Sequence, residues 1–324
     1  MRIVAALFGV AASLALLSDG APAQNSYPNH AVRIVVPTSP GAVTDVLARA
    51  IAQALSQAWG QPVIIDNRPG ADEMLGDEIV AKADPDGYTL GIVSNGGITA
   101  APQLHREVHY DPLKDFTPIF MLGEVTPVMI VPGKSPVHTV QELIALAKSK
   151  PGELNYGSFG VGSYAHVAME DFKRRTGVQL THVPYRGATP AYNALIRDEV
   201  AVMIANLSGA IAQADAGNVR IVAAAGPHRS KARPDLPTVA ESGVPGFATG
   251  AWWGVLGPAK LPAPIVAKIR TDLTRALDSP EMKKIYDINT MERDDMTTAQ
   301  FTQFIRDDTE YWARQIKAAG IQPD

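Results

Sequence analysis

The chain of 324 residues contains no cysteine. Without cysteine it can form no disulfide bond and cannot carry the lipid of a bacterial lipoprotein, so folding must depend on a hydrophobic core. The chain also lacks a basic excess, because 29 Lys and Arg residues stand against 33 Asp and Glu residues. Since a nucleic-acid binder needs a basic face, we expect no nucleic-acid partner, and an anionic ligand must be held by local groups.

Long apolar runs are scarce, and the most prominent one lies at the N-terminus. Arg2 precedes an uncharged apolar stretch at residues 3–17, and the small residues of Ala21-Pro22-Ala23 follow. This order is typical of a signal peptide, which we place at residues 1–23. The stretch is shorter than the roughly 20 apolar residues of a transmembrane helix, so we expect a mature chain that is exported and not inserted into a membrane.

The rest of the chain alternates between strand patterns and helix patterns. Residues 32–36 form a β-branched run, and a breaker segment with Pro40 and Gly41 then leads into apolar positions spaced as on one face of a helix. Strands that alternate with crossover helices predict an α/β fold with parallel pairing.

About 300 mature residues are enough for two domains of ordinary size. We find no internal repeat and no long linker, so the two lobes should be joined by crossing segments, for which residues 126–131 and 247–256 are the candidates. Such crossings would form a hinge beside a ligand cleft. We predict domain 1 at residues 24–127 and 247–324, and domain 2 at residues 128–246.

Two loops between a strand and a helix contain small residues, at 37–45 and 157–163. At the start of a helix the backbone N–H groups have no partner within the helix and can bind an anion. Glycine would equally allow an ordinary tight turn in either loop. If the two loops face each other across a cleft, they predict a clamp for one carboxylate.

Several other functions fit the sequence less well. Residues 160–165 match G-x-G-x-x-A, but Thr181-His182-Val183 stands where a dinucleotide site needs an acidic residue. No serine has the flanking glycines of a G-x-S-x-G elbow, although Ser163 and His166 leave a secreted hydrolase of a small ester as an alternative. His105 and His109 are not part of an H-E-x-x-H motif, and we expect neither a metal nor a cofactor.

Five motifs are similar to those of a known family. They are Asp66-Asn67-Arg68-Pro69-Gly70-Ala71, Pro85-Asp86-Gly87-Tyr88-Thr89-Leu90, the segment from Asn155 to His166, Val183-Pro184-Tyr185-x-Gly187, and Leu236-Pro237-Thr238-Val239-Ala240-Glu241-Ser242-Gly243. From Tyr27 to the C-terminus the chain resembles the Bug-type periplasmic receptors of tripartite tricarboxylate transporters.

The resemblance implies a two-lobed type II periplasmic-binding-protein fold and a monomer in the periplasm. It implies a receptor, not an enzyme, that captures a di- or tricarboxylate or an aromatic carboxylate and delivers it to integral-membrane transporter subunits. A receptor that presents its ligand to a membrane sensor kinase is an alternative with the same cleft.

The resemblance also implies a set of ligand-binding residues. They are Thr38, Ser39, Gly41, Ala42 and Asp45 in the first loop, Ser158, Phe159, Gly160, Gly162, Ser163 and His166 in the second, and Ser94, Asn95, Tyr185 and Asn206 at neighbouring strand ends.

The chain departs from the family at four places. The family usually has an aromatic residue at the position of Thr38, glycine at that of Ala42 and aspartate at that of Asn206. It usually has a glycine-rich turn where this chain has Asp72-Glu73-Met74. Asp45 could equally hold its own loop. Of Trp252 and Trp253, one should lie in the core and the other could line the cleft, because side chains alternate along a strand.

Overall fold

The computed structural model describes residues 27–323, and the predicted signal peptide lies outside them. The strands are β1 (Val32–Val36), β2 (Val63–Asn67), β3 (Thr89–Ser94), β4 (Phe116–Val125), β5 (Pro127–Pro132), β6 (Asn155–Ser158), β7 (Thr181–Pro184), β8 (Val202–Asn206), β9 (Val219–Ala224), β10 (Ala251–Pro258) and β11 (Met291–Glu292). The α-helices are α1 (Val43–Trp59), α2 (Met74–Ala81), α3 (Val140–Ser149), α4 (Tyr164–Thr176), α5 (Ala188–Ile196), α6 (Leu207–Asp215), α7 (Ala263–Leu277), α8 (Pro280–Asn289) and α9 (Thr298–Ala318).

The first lobe is built on a six-stranded sheet in the order β11-β4-β10-β3-β1-β2. Strands β1, β2 and β3 are parallel, as predicted, whereas β10 runs antiparallel to both β3 and β4. The antiparallel pairs arise because β10 returns from the other lobe and not through a crossover helix. Helix α1 packs on this sheet through a face that includes Leu47, Ile51 and Leu55.

The second lobe is built on a five-stranded sheet in the order β7-β6-β8-β5-β9. Strand β6 pairs in parallel with β7 and β8, and β5 is antiparallel to β8 and β9. Its core contains Tyr156 and Phe172, both fully buried, together with residues of α3 and α4.

The chain crosses between the lobes in two adjacent segments. Strand β4 ends at Val125 in the first sheet, and β5 begins two residues later in the second. On the return, Phe247 still belongs to the core of the second lobe, and Trp252 is in the core of the first. Ala251 at the start of β10 pairs with Val125 at the end of β4, so the two segments lie side by side. The division into two domains at the predicted boundaries stays a prediction.

No helix within residues 27–323 has the length and apolar character needed to cross a membrane.

Candidate functional site

A cavity of about 490 Å³ lies where the two lobes face each other. From the first lobe it is lined by Asp72, Glu73, Ser94, Asn95, Gly96, Ala100, Ala101, Leu104, Ala251, Trp253 and Trp312. From the second lobe it is lined by Phe159, Val161, Gly162, Ser163, Tyr164 and Asn206. Four aromatic side chains, those of Phe159, Tyr164, Trp253 and Trp312, contribute to the wall, as is common in small-molecule sites.

Three helices begin at the wall of this cavity. Glu73 is the N-cap residue of α2, Ser163 of α4 and Asn206 of α6. The first amides of a helix have no intrahelical acceptor, and the helix dipole places a partial positive charge there. The first amides of α2 already donate to the preceding turn, Met74 to the Ala71 carbonyl at 3.0 Å and Leu75 to the Gly70 carbonyl at 3.4 Å. The helix starts that direct a positive potential into the cavity are therefore those of α4 and α6 in the second lobe.

The charged side chains of the described cavity wall are both acidic. They belong to Asp72 and Glu73, and Lys, Arg and His are absent from the lining residues. Asp72 is exposed and its Oδ2 lies 2.8 Å from His105 Nε2. Glu73 is half-buried and its Oε2 accepts a hydrogen bond of 2.6 Å from Ser94 Oγ.

The first predicted loop contacts residues of the cavity wall but does not itself line the cavity. Trp253, which lines the cavity, donates from Nε1 to Thr44 Oγ1 at 3.0 Å. A side chain at Gly76 of α2 would come within 2.7 Å of Pro37 Cα, so α2 is packed tightly on this loop. Thr38, Ser39, Gly41 and Ala42 are absent from the lining residues, and the buried Thr38 hydroxyl has no hydrogen-bond partner among the described residues.

Asp45 holds the first loop together. Its buried carboxylate accepts hydrogen bonds from the Gly41 amide at 2.8 Å, from Arg49 Nε at 2.9 Å and from Asn67 Nδ2 at 2.9 Å. Burial alone would raise the pKa of Asp45, but these hydrogen bonds outweigh it and lower the pKa. The geometry therefore assigns this carboxylate to its own loop.

The second predicted loop reaches the cavity through only some of its residues. Phe159, Gly162 and Ser163 line the cavity. Ser158 is fully buried behind them, and its hydroxyl accepts a hydrogen bond of 3.2 Å from the Gly160 amide. The amide of Gly160 is thus used within the loop.

The predicted pair of Ser163 and His166 does not form a nucleophile and a base. His166 Nδ1 accepts the Gly162 amide at 3.0 Å, and Ser163 Oγ donates to the Gly160 carbonyl at 2.8 Å. Ser163 also caps α4 by accepting the His166 amide at 3.4 Å. Both side chains therefore stabilise the start of the helix.

A stack of aromatic rings packs against the second predicted loop. His166 and His182 lie 4.0 Å apart, ring centre to ring centre, and His182 lies 4.9 Å from Tyr156. His182 Nε2 is 2.6 Å from Ser158 Oγ. Burial, with a smaller contribution from His166, lowers the pKa of His182 to about 4, and burial also lowers the pKa of His166.

Some of the residues predicted at strand ends line the cavity, and others do not. Asn206 lines the cavity and accepts a hydrogen bond of 2.7 Å from the Tyr164 hydroxyl. Asn95 lines it too, and its Nδ2 donates to the carbonyl of Gly250 at 3.1 Å, in the returning crossing segment. Tyr185 is not among the lining residues.

Sequence reasoning missed much of the first-lobe wall. The prediction for the tryptophan pair is confirmed, since Trp252 is buried and Trp253 lines the cavity. Asp72 and Glu73 stand in a segment that departs from the family pattern, and that departure was the available signal. Leu104 and Trp312 come from segments with no motif, so nothing in the sequence pointed to them.

Comparison with known proteins identifies the family. The model for the tripartite tricarboxylate transporter family receptor matches residues 47–321. The chain belongs to this receptor family. Protein BugT of Bordetella pertussis is 32% identical over 299 residues, which cover 92% of this chain and 92% of that protein.

Two solved structures of similar proteins contain carboxylates. The chain is 35% identical to R. palustris Rpa4515, solved with adipate, at a TM-score of 0.76, covering 92% of this chain and 100% of that one. It is 31% identical to MatC of Rhodopseudomonas palustris, solved with bound malate, at a TM-score of 0.72, covering 90% and 100%. The two-lobed α/β fold is thereby confirmed.

Members of the receptor family are periplasmic binding proteins that bind small carboxylates and work with membrane transporters. This chain is accordingly a solute-binding receptor of that family, and not an enzyme.

Proposed function

We propose that the protein captures a small organic carboxylate in the cavity between its lobes and delivers it to integral-membrane subunits of a tripartite-type transporter. The observation that carries the proposal is the meeting of two helix N-termini of the second lobe, those of α4 and α6, at one cavity that the first lobe closes from the other side. A carboxylate there would receive backbone N–H donors and a favourable dipole, as anions do at helix starts. The ligand classes are those of the sequence analysis, namely di- and tricarboxylates and aromatic carboxylates.

In the proposed mechanism the lobes close on the ligand. Charge-assisted hydrogen bonds from amides contribute about 1.5–3 kcal/mol each at most, and closure excludes water from them. The amides of Gly162 and Ser163 already donate to His166 Nδ1 and to the Gly160 carbonyl. We therefore assign the amide contact to Tyr164, the first residue of α4, and a side-chain contact to Asn206, both of which line the cavity. The first loop would act mainly by supporting α2 and Trp253. A monomer exported by cleavage of residues 1–23, with the two domains predicted above, completes the proposal.

A thermal-shift screen tests the proposal. Purified protein is titrated with mono-, di- and tricarboxylates and aromatic acids, and at least one acid should raise the melting temperature in a saturable way without being consumed. An absence of any shift across the panel would contradict the proposal.

The variant Asn206→Asp tests the cavity itself. It adds a negative charge at the start of α6 while keeping the shape of the side chain and its acceptor for Tyr164. We expect the affinity for the best acid to fall about tenfold or more, since a like charge now faces the carboxylate. Asn218→Asp, on an exposed residue outside the cavity, is the matched control and should bind as the wild type does. Equal affinities of the two variants would mean that no anionic group of the ligand lies at the start of α6.

A further inference from the structure

The cavity wall has an unusual charge for a receptor of anions. Helix N-termini can stabilise one carboxylate, but the charged side chains in the described wall are the two carboxylates of Asp72 and Glu73. A ligand with a second anionic group near this wall would be repelled. A ligand with a cationic group at that end would be complementary to both halves of the cavity.

Glu73 is held as a hydrogen-bond acceptor. The amide of Gly96 donates to Ser94 Oγ at 3.1 Å, and Ser94 Oγ in turn donates to Glu73 Oε2 at 2.6 Å. Because the serine oxygen already accepts from the backbone, its hydrogen is directed at the carboxylate. The hydrogen bond from Ser94 and another from the Gly97 backbone favour the ionised form of Glu73.

Glu73 lacks a positive partner among the described residues. The neighbouring ionisable groups that act on it are acidic, since Asp72 is adjacent in sequence and the fully buried Asp77 lies behind it. Burial raises the pKa of Glu73 despite its hydrogen bonds, and burial followed by the charge of Glu73 raises the pKa of Asp77 well above its ordinary range. A half-buried carboxylate without a counter-charge is costly, and a bound cation would remove that cost.

The backbone under these carboxylates is strained. Ala71, Asp72 and Glu73 have φ angles of 48°, 49° and 78°, the left-handed region in which glycine carries no steric penalty. The chain nevertheless carries two acidic side chains there. Of these two side chains, only the Glu73 carboxylate is oriented by the hydrogen bonds that run from the Gly96 amide through Ser94 Oγ.

We propose that the ligand is a carboxylate with a protonated amine at its far end, and that Glu73 is the residue that selects this ammonium group. This inference rests on the proposed function, because the carboxylate of the same ligand occupies the helix N-termini of the second lobe. The ammonium donates to Glu73 Oε1, and the carboxylate lies toward Gly162 and Ser163 of the second lobe.

Matched ligand pairs test the inference by isothermal titration calorimetry. The pairs are 4-aminobutanoate with succinate, 5-aminopentanoate with glutarate, and 6-aminohexanoate with adipate, so that only the distal group changes at each chain length. In at least one pair the amino acid should bind about tenfold more tightly than the dicarboxylate, the expected effect of one charge-assisted hydrogen bond.

The variant Glu73→Gln should remove this preference. The amide keeps the size and the acceptor oxygen for Ser94 but loses the charge, so affinity for the amino acid should fall about tenfold while affinity for the dicarboxylate stays or rises. Glu78→Gln, the same change on α2 at a residue outside the cavity wall, is the control and should keep the wild-type ratio. A melting curve of each variant checks that it is folded.

The outcomes separate this inference from the proposed function. If dicarboxylates bind more tightly than their amino partners in every pair, or if Glu73→Gln leaves the ratio unchanged, the inference is wrong and the receptor function stands. If no member of any pair binds and the carboxylate panel also fails, both proposals are wrong.

Discussion

At the scale of single residues, the buried polar groups near the cavity mostly hold loops in place. Asp45 binds the Gly41 amide, and His166 binds the Gly162 amide, in each case four residues back along the chain. Each side chain thereby fixes a turn that contains a glycine with positive φ. Residues that sequence reasoning assigns to the ligand can therefore act one layer behind it.

His182 makes the stability of the protein depend on pH. Its pKa is about 4 in the folded protein and 6.5 ordinarily, so between these values the unfolded chain binds a proton that the folded chain does not. The free energy of unfolding should therefore fall as the pH falls from about 6.5 to about 4. The variant His182→Phe keeps a ring in the stack but removes this titration, so its stability should fall less steeply in the same window.

Urea unfolding at several pH values measures how steeply the free energy of unfolding changes with pH in the wild type and in His182→Phe. Glu170, Lys173 and His166 also act on His182 and remain in the variant, so the difference between the curves isolates one group. His138→Phe, on an exposed residue outside the stack, is the control and should follow the wild type. Parallel curves for His182→Phe and the wild type would show that His182 does not titrate in this way.

At the scale of elements, regular periodicity predicted the helices and most strands. The bounds of α1 and β1 follow directly from apolar spacing and from the break at Pro40 and Gly41. Strand β4 escaped prediction because Pro118 and Gly123 interrupt it, and its pairing with β10 contains register shifts. The π-helix at Gly96–Ala100 escaped too, since its two glycines are typical of a loop.

The loop before α4 makes a close contact between the lobes. Gly162 has a φ of 79°, and a side chain there would come within 2.8 Å of Leu104 Cδ1 in the first lobe. The nearest atoms are the flexible end of Leu104, so Gly162→Ala should push the Leu104 side chain aside in the cavity wall and weaken binding of the best acid severalfold, as calorimetry would measure. The added variant Leu104→Ala should restore part of the affinity by making room for the new methyl group.

Gly177→Ala separates the steric clash from backbone strain. Gly177 ends α4 with a φ of 70°, and a side chain there would meet nothing within 4 Å. It should lose about 1 kcal/mol of stability from the left-handed backbone and keep its affinity for the ligand. If Gly162→Ala binds as well as Gly177→Ala does, the contact with Leu104 plays no part in binding.

At the scale of the molecule, the sequence indicated two lobes but not how they touch. Trp312 and Ile316 of α9 pack with Ala100 of the first lobe and Val167 of α4 in the second. Helix α9 follows β11 of the first sheet, yet it contributes Trp312 to the cavity wall beside the second lobe. The residues of this contact are far apart in the chain and belong to no sequence motif. The contact could therefore be seen only in the folded structure.

The absence of cysteine allows a direct measurement of lobe closure. The pair Leu75→Cys and Val161→Cys places one spin label on each lobe, at side chains that are 47% and 68% exposed. If ligand binding closes the lobes, the distance between the labels measured by double electron–electron resonance should shorten when the best acid of the screen is added. The pair Ile64→Cys and Leu75→Cys lies within the first lobe and should keep its distance, because closure moves the lobes as rigid bodies. A distance between Leu75 and Val161 that stays the same at saturating ligand would mean that the cavity receives its ligand without hinge motion, and that the binding groups of both lobes are already in place in the free protein.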